Sequence, residues 1–234
     1  MAFRKAERKQ AKLRLAITGT AGSGKTYGAL QLAQGLSGKI AMIDTENGSG
    51  DLYSDMCDYD IASMSAPYDP RKYIQYIHEA EKSGYDIIII DSLSHEWNGK
   101  GGCLDLQNRV VEVSKSQNSY IAWGKVTPLH SALVEAILAS PCHIIATMRS
   151  KTEYVQCQNE KGRTEIHKVG LAPVQREGMD YEFSVVFDLS ESHMASVSKD
   201  RTRLFDGQIF QLSQETGKIL RHWLDAGVDT QKGE

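Results

Sequence analysis

The 234-residue chain has the length of one large α/β domain, and its formal net charge of −3 excludes a general affinity for polyanions. The charge is unevenly placed, because residues 1–14 hold six Lys or Arg residues and a single Glu. Any contact with a polyanion is therefore predicted to be local to this basic arm and to loops.

Cysteine usage and hydropathy indicate the compartment. Cys57, Cys103, Cys142 and Cys157 form no CxxC pair and no regular Cys/His spacing, which argues against a zinc motif and a disulfide framework. The N-terminus lacks an apolar leader, and no apolar run approaches the roughly 18 residues that span a bilayer. We expect a cytoplasmic protein with no membrane partner.

The first half of the chain alternates strand and helix signals. Residues 13–18 form an apolar strand, and a helical pattern follows over 27–38. A second strand is predicted over 39–44 and a helix over 70–83, beginning at proline. The run YDIIIIDS ends at Asp91, and its four isoleucines are typical of a central parallel strand covered on both faces.

The second half changes character. Residues 92–102 are predicted to be a loop, followed by helices near 103–118 and 127–139 and a buried strand over 142–148. Alternating strands are expected around the turn NEKG within 152–170, and short antiparallel strands over 183–212 precede a last helix carrying Trp223. The pattern predicts an α/β fold with a mostly parallel central sheet, helices on both faces and antiparallel C-terminal strands.

A phosphate-binding motif follows the first strand. The pattern GxxxxGK[ST], between a predicted strand and a predicted helix, is matched by Gly19, Thr20, Ala21, Gly22, Ser23, Gly24, Lys25 and Thr26. Its glycines let backbone N–H groups surround phosphate oxygens at a helix N-terminus. Lys25 is expected to reach the β- and γ-phosphates of ATP, and the Thr26 hydroxyl to hold Mg²⁺.

Acidic residues end the next two apolar strands. Asp91 is expected to hold the same Mg²⁺ through water, although a helix cap is the alternative. Glu46 is expected to position the water that attacks ATP, from a strand next to that of the phosphate loop. Asp44 could take that role or support the site from within, and a solvated acidic loop remains an alternative for both.

The order of these motifs resembles the RecA-like recombinases, most closely the small phage-encoded RecA-like proteins of the Sak group used in single-strand annealing and exchange. The segment IDTENGSGDLY resembles the family's segment with the catalytic glutamate, which implies that role for Glu46 and a place near the nucleotide base for Tyr53. The segment YDIIIIDSLS is similar to the family's Walker B strand. The resemblance spans nearly the whole chain.

This resemblance implies a RecA-like P-loop ATPase core over residues 15–225, between the basic arm 1–14 and a polar tail 226–234. A phage-encoded protein acting in a bacterial cytoplasm is implied as well. The chain lacks the large terminal domains of bacterial RecA, so strand exchange is less directly implied than ATP binding.

Two further positions depend on the resemblance. The segment VSKDRT is similar to the family's basic pair, which implies that Lys199 and Arg201 act catalytically on the γ-phosphate bound by a neighbouring subunit; a solvated turn is the alternative. Where the family has a polar γ-phosphate sensor, this chain offers Thr147 or Arg149, and the sequence does not choose between them.

Two loops, near 94–102 and 150–178, are implied to hold single-stranded DNA. Cations beside aromatic rings suit phosphates and stacked bases. The predicted contacts are Trp97, Lys100, Lys151, Tyr154, Lys161, Arg163, Lys168 and Arg176. A solvent-exposed hairpin of mixed charge is an equal alternative.

The basic arm contains an FxxA tetrapeptide, with Phe3 and Ala6 at its ends. It resembles the peptide by which archaeal and eukaryotic recombinases dock onto a neighbouring subunit, and an apolar anchor of this kind can fill a preformed pocket. A basic arm that touches DNA, or nothing, is the alternative.

Together these features predict an ATP- and Mg²⁺-dependent, DNA-stimulated recombinase that binds single-stranded DNA and assembles head to tail, as a filament or ring, with ATP at subunit interfaces. A single-strand-binding protein is a further candidate partner. Two alternatives stay open: a nucleotide-switched annealing protein that hydrolyses little, and a RecA-core motor or loader that acts on a protein partner.

Overall fold

The computed structural model describes residues 5–114, 118–158 and 164–228, with only the backbone described between 152 and 170. Phe3, Lys161 and Arg163 lie outside the described residues. Within the described part, no helix combines the length and apolar character needed to cross a membrane.

A single mixed sheet organises the fold. Its spatial order is β3-β2-β4-β5-β1-β7-β8, and β6 pairs with β5 beyond this path. Neighbours in the order from β3 to β7 run parallel, whereas β8 and β6 are antiparallel to their partners. The strands are β1 (Arg14–Gly19), β2 (Ile40–Asp44), β3 (Asp60–Ser63), β4 (Ile87–Asp91), β5 (His143–Gln158), β6 (Thr164–Pro173), β7 (Val185–Leu189) and β8 (Ala195–Asp200).

Helices cover both faces of the sheet, because alternate strand residues point to opposite sides. Ile87 and Ile89 of β4 pack on the side of α1 and α6, whereas Ile88 and Ile90 pack on the side of α2 and α5. The helices are α1 (Lys25–Leu36), α2 (Pro70–Lys82), α3 (Ser94–Asn98), α4 (Cys103–Val113), α5 (Ser119–Ala139) and α6 (Gln214–Asp225), with 3₁₀ turns at Gly50–Tyr53 and Met179–Glu182. The predicted architecture is confirmed.

The sequence misplaced several boundaries. α5 begins at Ser119, eight residues before the predicted start, because the Asn118 side chain accepts a hydrogen bond from the N–H of Tyr120 at 2.8 Å and caps the helix. Pro128 therefore lies inside this helix. Residues 92–102, predicted to be a loop, contain the short helix α3.

β5 is longer than predicted. The buried strand and the first strand of the predicted hairpin are one continuous element of 16 residues. Its first part lies between β1 and β4, and its second part pairs with β6 alone. A register shift at Glu153/Tyr154 interrupts the β5–β6 ladder.

Candidate functional site

The phosphate loop joins β1 to α1 at the carboxyl edge of the sheet. Gly19 ends β1, Thr20 to Gly24 form the turn, and Lys25 and Thr26 begin α1. Gly22 and Gly24 have φ angles of 78° and 88°, in the left-handed region that glycine tolerates best. A Cβ atom on Gly19 would lie 2.4 Å from the Ser23 Oγ atom. The loop is therefore a tight turn, within which the Ser23 N–H donates a hydrogen bond to the Thr20 carbonyl at 3.3 Å.

Lys25 lies between this loop and the acidic residues of the neighbouring strands. Its Nζ atom donates a hydrogen bond to the Thr20 carbonyl at 2.7 Å. Burial lowers the pKa of Lys25, while the charges of Asp91 and Glu46 raise it and that of Arg149 lowers it. The Lys25 ammonium group thus interacts electrostatically with Asp91 on β4, with Glu46 on the turn after β2, and with Arg149 on β5.

Asp91 is buried and held by two threonine hydroxyls. Thr26 donates a hydrogen bond to one carboxylate oxygen at 2.6 Å, and Thr147 donates to the other at 2.5 Å. Burial raises the pKa of Asp91, and the two hydroxyl donors oppose that shift. The structure therefore brings together Thr26 and Asp91, the two residues predicted to hold Mg²⁺. The Thr147 hydroxyl is already used in its hydrogen bond to Asp91.

Glu46 lies on the turn after β2. The expectation that β2 is next to the phosphate-loop strand is wrong, because β4 and β5 lie between β2 and β1. Asp44 shapes the turn: its carboxylate accepts hydrogen bonds from the backbone N–H groups of Glu46 at 2.6 Å and Gly48 at 2.7 Å. Glu46 reaches the site from this turn, and Asp44 supports it from below.

Both carboxylate oxygens of Glu46 are engaged by Arg149. The Arg149 Nε atom donates to one oxygen at 2.9 Å, and a terminal nitrogen binds the other. This bond is the main reason that the pKa of Arg149 is raised. The sequence offered Arg149 as a sensor but gave no signal of this pairing, because the two residues lie 103 positions apart.

A cavity of about 510 Å³ continues the site beyond the phosphate loop. Tyr53 lines it beside Tyr27, with ring centroids 6.4 Å apart in an edge-to-face arrangement. The cavity lining also includes His193, whose Nδ1 atom lies 3.1 Å from the Ser23 carbonyl oxygen. The sequence predicted Tyr53 but missed Tyr27 and His193, and His193 comes from the β7–β8 turn, far along the chain.

Lys199 and Arg201 lie away from this cavity. Asp200, which lies between them in the sequence, pairs with Val185 of β7, and Val185 pairs with Leu15 near the start of β1. The phosphate loop begins at the other end of β1. Both side chains donate to the Tyr181 carbonyl, Arg201 at 3.4 Å. The two cations thus converge on the Tyr181 carbonyl. Asp200, between them, lies level with Leu15, which is about 13 Å along the sheet from Gly19 at a strand rise of about 3.3 Å per residue.

The residues predicted to contact DNA and neighbouring subunits are placed in part. Trp97 lies in α3 and stacks on Trp123 with ring centroids 5.5 Å apart. Lys100 and Lys151 are exposed, and Arg176 is half-buried. Of Tyr154 and Lys168 only the backbone is described, paired across β5 and β6. Ala6 is exposed, whereas Phe3 lies outside the described residues.

Comparison with known proteins matches most of the chain to one family model. The family model described as "AAA domain" matches residues 11–216. A solved structure titled "Crystal structure of the RadB recombinase" is 16% identical over 89% of this chain and 90% of that chain, with a TM-score of 0.45. A search of curated proteins found no match.

Proposed function

From the premise that the chain belongs to the AAA domain family, we propose that it is a RecA-like ATPase of DNA recombination, which binds single-stranded DNA and assembles head to tail with ATP between subunits. The observation that carries this proposal is the hydrogen bond of 2.6 Å between Thr26 and Asp91. It joins the two predicted Mg²⁺ ligands beside the tight turn of the phosphate loop.

The residues present fit ATP and Mg²⁺. The loop glycines leave room for phosphate oxygens, Lys25 supplies a cation, and the cavity beside Tyr53 and Tyr27 has the size of a small-ligand site. Thr26 would hold the ion directly and Asp91 through water, and the bound ion would neutralise charge on the phosphates. Lys25 would stabilise the charge that develops on the transferred phosphoryl group.

Glu46 would act as the base or positioner for the attacking water. Arg149 engages both oxygens of Glu46, and each oxygen keeps a second lone pair for a water molecule. Release of the pair would leave the whole carboxylate to the attacking water. A γ-phosphate offers Arg149 a competing anionic partner with the same bidentate geometry, which supports Arg149 as the sensor, since Thr147 is committed to Asp91.

Assembly and DNA binding are supported by position. Lys199 and Arg201 lie too far along the sheet to serve the phosphate loop of their own chain, so a γ-phosphate that they contact belongs to a neighbouring subunit. The β5–β6 hairpin begins just past Arg149, and this continuity gives nucleotide and DNA a shared element.

The test is ATP hydrolysis by the purified protein with and without single-stranded DNA at near-physiological salt. Lys25→Ala should abolish hydrolysis, and Lys82→Ala, an exposed lysine at the end of α2, is the matched control that should retain it. Stimulation by DNA is the expected result. Hydrolysis that persists in Lys25→Ala, after removal of contaminants, would overturn the assignment of the site.

A second candidate function is favoured by the Glu46–Arg149 pair. A chain that keeps its catalytic carboxylate engaged would hydrolyse slowly and use nucleotide mainly as a switch for annealing. Annealing at full rate with a non-hydrolysable ATP analogue would favour this reading. If single-stranded DNA does not bind, or binds without the steep loss of affinity with salt that phosphate contacts cause, a loader acting on a protein partner is the better description.

A further inference from the structure

A buried polar cluster lies beneath α3, outside the nucleotide site. It consists of Glu96 in α3, Cys103 at the start of α4 and His130 in α5, all buried. The Glu96 Oε1 atom lies 3.0 Å from the Cys103 Sγ atom and 3.0 Å from the His130 Nδ1 atom. All three ligand atoms lie within 4.8 Å of one another. The three side chains therefore converge on one point from three helices.

We propose that Glu96, Cys103 and His130 bind a divalent metal ion of the zinc type. A thiolate, an imidazole and a carboxylate are the ligand types that zinc takes in proteins, whereas Mg²⁺ and Ca²⁺ prefer oxygen alone. Tetrahedral bonds of about 2.0–2.3 Å place ligand atoms about 3.3–3.7 Å apart. The two separations of 3.0 Å would therefore widen by about half an ångström, and the Cys103 and His130 ligand atoms, which lie within 4.8 Å of each other, would close by at most about 1.3 Å. With two anionic ligands, the ion leaves the buried site with no net charge.

The surroundings have the features of an outer ligand shell. The Gln175 amide donates to the second Glu96 oxygen at 3.0 Å and to the Leu93 carbonyl at 3.1 Å, which fixes the carboxylate and leaves its first oxygen for the ion. Trp97 packs edge-on against the His130 ring at a centroid distance of 5.8 Å. Together, the amide and the indole orient two of the three ligands.

A cavity lies beside one of the three ligands. His130 borders a cavity of about 430 Å³ that opens to the surface. Glu135, Glu177 and Glu182 line the cavity against a single cation, Arg176. This excess of carboxylates attracts a cation to the side from which His130 can be reached.

The sequence hides this cluster. Its members lie at positions 96, 103 and 130 on three different helices, so no pair has the short spacing that identifies a zinc motif. The spacing argument against zinc applies to local motifs and does not test ligands that the fold brings together.

The first test is the metal content of untagged, full-length protein from cells grown with added zinc, measured by mass spectrometry. About one zinc ion per chain is expected in the wild type and in Cys142→Ser, which alters the other described buried thiol. Cys103→Ser should lose the ion, and Gln175→Ala should weaken zinc binding by about 10–100-fold. Zinc retained in Cys103→Ser, or lost from Cys142→Ser as well, would overturn the site.

The second test separates a metal site from a hydrogen-bonded cluster. Cys103→Ser keeps a hydroxyl donor to Glu96, so the cluster alone should survive it. In the absence of nucleotide, a zinc chelator should lower the Tm of the wild type by several degrees and leave that of Cys103→Ser unchanged. Cobalt titrated into metal-free wild type should give thiolate-to-cobalt absorption that Cys103→Ser lacks. A wild type that responds to neither chelator nor cobalt would contradict the proposal. Neither test measures ATP hydrolysis, so the result is independent of the proposed function.

Discussion

The two halves of the candidate site differ in how their charges are held. Asp91 is buried in the sheet, and short hydroxyl donors from α1 and β5 hold both its oxygens. Glu46 lies on a turn at the surface, paired with the half-exposed Arg149. The difference indicates that the half that would bind nucleotide and Mg²⁺ is already arranged within one chain. In the half that would hydrolyse ATP, the carboxylate is held by an ion pair for which a γ-phosphate would compete.

The largest expected effect concerns the hydrolytic half and the proposed contact of Lys199 and Arg201 with ATP on a neighbouring subunit. Removing both Lys199 and Arg201 should lower kcat by about 10³-fold, because a cation that stabilises transition-state charge from across an interface has effects of that size. Steady-state hydrolysis at saturating ATP and DNA measures this. Arg203→Ala, an exposed arginine in the same segment, is the control and should keep its activity.

A mixing experiment tests whether these cations act across an interface. The double variant mixed with Lys25→Ala should regain part of the activity that each lacks, since some interfaces then combine an intact phosphate loop with intact cations. Activity that never exceeds the sum of the two alone would contradict action of Lys199 and Arg201 across an interface.

Glu46→Gln should separate ATP hydrolysis from nucleotide binding. It should lower kcat by about 10²-fold or more, as expected on losing a general base, while nucleotide affinity changes little. Fluorescent-nucleotide binding and single-turnover hydrolysis measure the two quantities. Glu79→Gln, an exposed glutamate on α2, is the matched control. Full turnover in Glu46→Gln would remove this residue from the mechanism.

Arg149→Ala should have a moderate effect on both hydrolysis and nucleotide preference. The substitution frees Glu46 but removes the proposed γ-phosphate partner, so kcat should fall by about tenfold and the preference for ATP over ADP should shrink. Arg149→Lys keeps the charge without the bidentate fork and should restore little of that preference. An unchanged ATP/ADP affinity ratio in Arg149→Ala would exclude it as the sensor.

The smallest expected effect is on stability. Because burial raises the pKa of Asp91 above its unfolded value of about 3.9, its contribution to stability is fully present below pH about 4 and is lost as pH rises through the raised pKa. The stability of Asp91→Asn relative to the wild type should therefore increase between pH 4 and pH 8. Urea unfolding without nucleotide at both pH values measures this, and a constant difference would contradict it.

Local motifs were predictable from the sequence, whereas pairings across the sheet were not. The phosphate loop and the end of β4 carry their signals within a few residues, because glycines and an isoleucine run determine their geometry. The partner of Glu46 depends on strand order, which placed β4 and β5 between β2 and β1. Pro128 suggested a helix start, but the cap at Asn118 begins the helix earlier and determines the boundary.

The length of β5 gives the nucleotide edge a mechanical link to the hairpin. Arg149 lies where β5 leaves the sheet, and Gln158 is nine positions further along the strand. At a rise of about 3.3 Å per residue, this arm extends about 30 Å, so a tilt of about 6° at its base moves its tip by about 3 Å. When the two paired strands turn as one body about this point, a small angular change at the pivot becomes a step of about the length of a hydrogen bond at the far end.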